Sequence, residues 1–426
     1  MSINLLLIVV FFGMLFLGVP IFMAIGLAII ACVSTGQIFD YINIVSGLCN
    51  SADNFPLIAV PFFILAGEFM SAGGVSRRIV DFANSQVGHM RGGLGMVTVL
   101  SCMFFSALSG SGVATCAAIG GFMIPTMIEQ KYDRGYAAAL TATASSLGPI
   151  IPPSISFILF AIILNVSVTQ LFAAGILPGI LIGLSLMIVN YIIARKRGYP
   201  TGPRASFKEK LATLNRTKWS LCVPIVILGG IYGGVFSPTE AAIIATDISI
   251  ILGLFVYKEF TIKDIPNIVI KALKSTGIAL SLLGFAVVFG RVMVIADLPN
   301  TVSNWVMSVT NSKVAVLLIV NLILLIVGCL METSSAVIIT SPILWAIVKQ
   351  FGVDPIHFGV ILVCNLCIGL ATPPVGQSLF VASSISGAKV SEIVKPMLPL
   401  LIAAFTSQLI ITFVPWLSLA IPHLIR

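Results

Sequence analysis

Gly148-Pro-Ile-Ile-Pro-Pro-Ser154 lies in the middle of an apolar segment, where a helix would otherwise run unbroken. Prolines at 149, 152 and 153 remove three backbone donors and push the residues before them out of the α region. In hydrocarbon, every carbonyl freed in this way costs several kcal/mol unless protein, water or an ion satisfies it. Such a break at membrane depth implies a cavity or an ion. The device returns at Gly369-Leu-Ala-Thr-Pro-Pro-Val-Gly376, so the chain reads as two copies of one unit built around two breaks.

The membrane assignment follows from composition. Of 426 residues, 58% are hydrophobic and 9% charged, against about 25% charged in soluble domains. Mean hydropathy is +1.12. The long apolar runs lack the alternation of barrel strands, so the expected class is an all-α polytopic membrane protein. The N-terminal run has no basic flank or small-residue cleavage site and reads as retained. The net charge of +8 does not point to nucleic acid, because its distribution is local. Arg195, Lys196, Arg197, Arg204, Lys208, Lys210, Arg216 and Lys218 share one stretch with a single acid, Glu209. That marks a cytoplasmic loop attracted to anionic lipid headgroups. Cys364 and Cys367 lie inside an apolar run without a second pair, so they read as small buried hydrophobes rather than a metal site.

Residues 1–55 read as N-terminal scaffold, with 3–35 either one long tilted helix or a pair of short ones, followed by a polar outer-face stretch carrying Asp40 and Asp53. The first repeat spans 56–195, with an amphipathic arm, a hairpin at about 92–130 and a broken helix at about 135–165. Basic residues at both ends of 92–130 put both ends on one side, which predicts a re-entrant hairpin with its tip at Ser106–Gly112; one long helix with a small-residue face is the alternative. A basic loop at 196–218 and connecting helices at 219–265 precede the second repeat, 266–426. Its hairpin is expected at about 314–350 and its broken helix at about 355–386.

The repeat has a register. Gly148, Pro152, Pro153, Pro178 and Asp133 each find the same residue type 221 positions later. The first arm carries Arg77, Arg78, His89 and Arg91, whereas the matching arm near 297–313 has only Asp297 and Lys313. One arm is expected inside and the other outside, which makes the repeats inverted, the pattern of secondary transporters.

Sodium coupling needs hard oxygen ligands, and unwound backbone beside Ser or Thr supplies them. The candidates are the tip Ser106–Gly112 with the break Gly148–Ser154, and Gly328–Ser335 with Gly369–Gly376. Half-helix N-termini at these breaks would offer N–H groups to a carboxylate. Ser111, Gly112, Gly148, Pro152, Pro153, Ser154, Glu332, Thr333, Pro373 and Pro374 are thus expected to shape a substrate site. Glu332 would complete an ion site or fix the second tip, Glu68 and Arg291 read equally well as structural charges, and Asp247, outside the repeats, reads as a partner or scaffold contact. No metal spacing, P-loop or dinucleotide fingerprint supports an enzyme, and no haem or cluster ligands support an anchor of a redox complex.

These stretches, with Pro61-Phe-Phe-Ile-Leu-Ala-Gly-Glu68, Gly88-His-Met-Arg-Gly-Gly-Leu94, Ser109-Gly-Ser-Gly-Val-Ala114 and Phe236-Ser-Pro-Thr-Glu-Ala241, resemble the large membrane subunit of the tripartite ATP-independent periplasmic (TRAP) transporters nearly end to end. The resemblance implies a bacterial inner-membrane, sodium-coupled importer of an organic acid anion, a dicarboxylate, sialic acid or sugar acid, working by an elevator motion. It also implies a small four-helix membrane subunit (Q-type) and a periplasmic substrate-binding protein (P-type) as partners. Carried onto this chain, one sodium site would use Ser106 and Ser109 with Gly328 and Met331, and another Gly369, Thr372 and Val375. The chain departs from relatives at Met331-Glu-Thr-Ser-Ser335, where an Asp and a Pro are common. The rival within transport is a stand-alone sodium–dicarboxylate symporter of similar architecture.

Overall fold

The computed structural model describes residues 3–35, 41–52, 55–297, 301, 310 and 312–425. Asp40, Asp53 and most of the 297–313 arm lie outside the described residues. Among the described residues all regular structure is helical, and eight helices are long and apolar enough to cross a membrane.

The first apolar run divides. Helix α1 (Ile3–Phe16) and α2 (Ile21–Val33) pack on one another across a turn in which Gly18 takes φ +79° and Val19 donates to the Met14 carbonyl at 3.1 Å. Pro20 has no N–H to continue α1, but its carbonyl accepts from Ala24 at 3.0 Å and so starts α2. Helix α3 (Tyr41–Ala52) follows, then a 3-10 turn into α4 (Ala59–Ala72) and the half-buried α5 (Val75–Val87). The turn around Gly110 separates α6 (Gly93–Ser109) from α7 (Gly112–Glu129). Beyond it run α8 (Arg134–Ser145), α9 (Ile155–Leu164) and the long α10 (Val168–Arg197).

The basic stretch expected to be loop through 218 is irregular only as far as Ser206. There α11 (Phe207–Tyr232) begins, because Ser206 and Glu209 form a reciprocal capping box, at 2.7 and 3.2 Å, that satisfies the first-turn donors. Ser237 and Glu240 start α12 (Pro238–Ile251) in the same way. Helix α13 (Ile265–Ile295) leads to the second segment: α14 (Lys313–Leu330), α15 (Thr333–Val348), α16 (Pro355–Gly369), α17 (Gln377–Ser386), α18 (Val390–Phe413) and α19 (Trp416–Leu424).

The second segment reuses the first at nearly constant spacing. Asp133 caps α8 by accepting the Tyr136 N–H at 2.8 Å, and Asp354, 221 residues on, caps α16 through Ile356 and His357. Ser111 and Glu332, also 221 apart, cap α7 and α15. Packing is reciprocal too: α7 lies against α17 and α15 against α9, while α8 lies against α18 and α16 against α10. A second layer forms where α12 and α13 pack on α4. Thr239 and Thr246 tie α12 there by donating to the Phe55 and Phe62 carbonyls at 3.2 and 2.9 Å.

Candidate ion and substrate site

After α8 the chain tightens into successive i→i+3 bonds. Leu147, Gly148 and Ile150 donate to Ala144, Ser145 and Leu147 at 3.2, 2.9 and 3.0 Å. The Ser154 hydroxyl donates to the Pro149 carbonyl and accepts the Phe157 N–H at 3.2 Å, so it closes the loop and caps α9 in one move. The break at 148–154 is almost wholly buried, with Pro152, Pro153 and Ser154 inside.

The second break is built alike but left more open. Thr372 donates its N–H to Gly369 at 2.8 Å and its hydroxyl to Ile368 at 2.9 Å. Gly376 donates across to Cys329 on the second hairpin at 3.0 Å, and Ser378 back to Leu370 at 3.0 Å. Here Pro374 and Val375 are exposed, and no side chain caps the N-terminus of α17. Both Pro–Pro bonds, 152–153 and 373–374, are cis.

Each hairpin tip rests on its own break, main chain against main chain. A Cβ on Gly148 would come within 2.5 Å of the Ser111 carbonyl oxygen, and one on Gly369 within 2.5 Å of the Gly328 carbonyl carbon. No residue larger than glycine fits either position without moving backbone. The two pairs meet through Leu370, whose side chain reaches the position a Cβ on Gly112 would occupy.

The site residues named from sequence therefore fall into two groups. In the first, the Ser109 and Thr115 hydroxyls are 2.9 Å apart, Thr115 donates to the Ser111 carbonyl at 2.8 Å, and Ser106 donates to Cys102. In the second, Met331 is extended, Gly328 and Gly369 touch, and Thr372 and Val375 line the break. Gly328 is thus set against its own break, whereas Ser109 is set against Gly67 of α4 and Thr115. Glu332 fixes its loop: its carboxylate accepts from the Ser334 hydroxyl at 3.0 Å and the Ser335 N–H at 3.2 Å, with Thr333 buried beside it. Glu68 pairs with Lys271 at 3.7 Å, and Asp247 is exposed on α12.

A buried polar cluster behind the second break leaves little trace in the sequence. The Asn321 side-chain carbonyl accepts from Asn365 at 2.7 Å, Gln408 at 3.0 Å and Thr412 at 3.2 Å. His357 continues the row, with Ser418 at 3.1 Å and the Thr412 carbonyl at 3.2 Å. Its only signal was a set of lone amides in apolar runs, with partners 44 to 91 residues away. Cys364 and Cys367 are buried on α16.

The comparisons agree with this architecture. The family model described as "Tripartite ATP-independent periplasmic transporter, DctM component" matches residues 8–417. An isethionate TRAP transporter permease protein DctMQ from Oleidesulfovibrio alaskensis is 42% identical over 94% of this chain, which spans 63% of that relative's length. The C4-dicarboxylate TRAP transporter large permease protein DctM of Pseudomonas aeruginosa is 42% identical, covering 88% of each chain. The sialic acid TRAP transporter large permease protein SiaM of Vibrio cholerae is 35% identical over 97% of this chain and 96% of its own. Among solved structures, the Alcanivorax borkumensis YdaH transporter superposes with TM-score 0.66 at 15% identity, covering 89% of this chain and 88% of its own; at that identity the likeness is one of fold.

Proposed function

Because this chain belongs to the DctM component family of the tripartite ATP-independent periplasmic transporters, we propose that it is the large membrane subunit of a sodium-coupled importer for a small organic anion. The observation that carries the reading is the pairing of each hairpin tip with its own broken helix, repeated at a spacing of 221 residues. In this reading the two segments are inverted repeats, their hairpins are re-entrant, and each tip–break pair holds one sodium through main-chain and hydroxyl oxygens. The first pair contributes Ser106, Ser109 and the turn at Gly148. The second contributes Gly328, Met331, Gly369, Thr372 and Val375. The uncapped N-terminus of α17 beside the exposed second break is where the anion's charge would meet backbone N–H groups. The relatives' names span a C4-dicarboxylate, a sialic acid and isethionate, whose shared feature is an anionic head on a small polar body.

The layer of α4, α12 and α13 serves as the scaffold past which the paired breaks move, in an elevator motion across the bacterial inner membrane. A small four-helix subunit enlarges that scaffold, and a periplasmic binding protein delivers the anion. Reconstitution tests this. In proteoliposomes, an inward sodium gradient should drive uptake only with the small subunit and the loaded binding protein present. Uptake by this chain alone from free substrate would replace the proposal with a self-sufficient symporter, and uptake indifferent to sodium would remove the coupling.

A further inference from the structure

On the face carrying the basic residues, away from both breaks, α5, the irregular stretch before α11, the first turns of α11 and the residues Tyr257 and Glu259 line an open cavity of about 860 Å³. Arg77 comes from α5, Arg204 from the irregular stretch and Arg216 from α11, so three exposed arginines line it from three separate elements. The walls are held in place. Gly202 donates to the Gly88 carbonyl at 3.2 Å, which anchors the stretch bearing Arg204 to the end of α5. Arg78 is locked by Glu259 at 3.0 Å, by the Gly74 carbonyl at 2.9 Å and by the Tyr257 ring 3.7 Å away, and Tyr257 in turn shares a 2.8 Å hydrogen bond with Ser220 of α11.

Charge accounting decides what fits. Glu259 is paired with Arg78, and Glu209 is committed to the α11 capping box. Asp81 is the carboxylate left in the lining, and among the described residues none of Arg77, Arg204 and Arg216 makes an ion pair. We propose that this cavity binds a phosphate-bearing anion, whose oxygens the guanidinium groups would grip from three sides. Guanidinium is the side chain suited to phosphate because its planar donors pair with two oxygens at once. The opposite face of α11 exposes Phe207, Leu211 and Leu214, flanked by Lys208 and Lys210, as on a helix lying at a membrane surface. A phospholipid headgroup and a soluble phosphate share the required chemistry.

Native mass spectrometry of the intact chain in detergent separates them. Phosphatidylglycerol, phosphatidylcholine and inorganic phosphate are the probes. R77A/R204A/R216A should reduce phosphatidylglycerol adducts by about tenfold or more, a loss of about 1.4 kcal/mol or greater. K274A/K349A/K395A, which removes the same charge from exposed lysines on other helices outside the cavity, should leave them intact. Asp81→Asn should raise phosphatidylglycerol but not phosphatidylcholine adducts, a headgroup-selective gain that misfolding does not produce. Displacement of the lipid by millimolar inorganic phosphate assigns a soluble ligand, and resistance to it assigns the headgroup. Equal loss in both triple variants, or equal binding of the two lipids with no response to phosphate, overturns the proposal.

Discussion

Gly369→Ala tests the tip–break contact most directly. A Cβ there would lie 2.5 Å from the Gly328 carbonyl carbon, 2.6 Å from its Cα and 2.9 Å from the Cys329 nitrogen. Ordinary carbon contacts need about 3.5 Å, so the second tip must retreat by about 1 Å. All three neighbours are backbone atoms, and none can turn aside. Overpacking of this kind costs about 1–3 kcal/mol. It would also stretch the Gly376–Cys329 hydrogen bond, now 3.0 Å, that pins the break to the tip. Gly277→Ala, on α13 with nothing within 4 Å of its Cβ position, is the matched control. That change should be neutral or stabilising by up to about 1 kcal/mol, because alanine is the better helix former. Thermal unfolding of the purified chain, with and without sodium, reads both effects. Gly369→Ala should lower the midpoint and lose the sodium-dependent rise, while Gly277→Ala keeps it. Indistinguishable behaviour of the two variants would refute the contact and the ion site built on it.

Three further outcomes follow from the same geometry. Thr372→Ala and Ser109→Ala should each weaken the sodium dependence of reconstituted uptake by about tenfold, equivalent to about 1.4 kcal/mol; an unchanged sodium response in both would count against hydroxyl participation. Asn321→Leu removes the acceptor shared by Asn365, Gln408 and Thr412, and at about 1 kcal/mol per lost bond should destabilise the chain by about 2–3 kcal/mol; an unshifted melting midpoint would show the cluster to be dispensable. The Ser206 backbone N–H holds the exposed Glu209 carboxyl below its ordinary value, so this cap stabilises the folded form above the unfolded carboxyl value of about 4.3 and is lost as pH falls through the lower folded one. Amide-exchange protection in the first turn of α11 should therefore drop in acid, and in Glu209→Ala it should already be low at pH 7 with no further acid step.

What sequence could and could not reveal divides along physical lines. The two breaks were legible because Pro-Pro in an apolar run conflicts with local rules, and such conflicts gather at functional places. Asp133 and Asp354 were legible as a matched pair from their 221-residue spacing, and the structure adds that each caps a helix. Residues 3–35 stayed ambiguous because Gly18 and Pro20 suit a kink as well as a turn, and only the packing of α1 on α2 decides. The helix beginning at Phe207 lies in a stretch whose charge reads as loop, although Ser206 and Glu209 spell a capping box. Membership of a site is a matter of distance rather than composition. Sequence could name Ser109 and Gly328, but the packing of Gly328 on Gly369 and of Ser109 on Gly67 links residues too far apart in the chain to be read from it.

The contact between tips and breaks has one further consequence. Where two polypeptide backbones meet with no side chain between them, there are no rotamers to absorb a disturbance. In the proposed reading, a sodium ion lodged in such a seam would be released by the parting of whole helices rather than by the flick of one group. Slippage, in which the ion crosses without its cargo, would then be resisted by sheer stiffness, with no latch required.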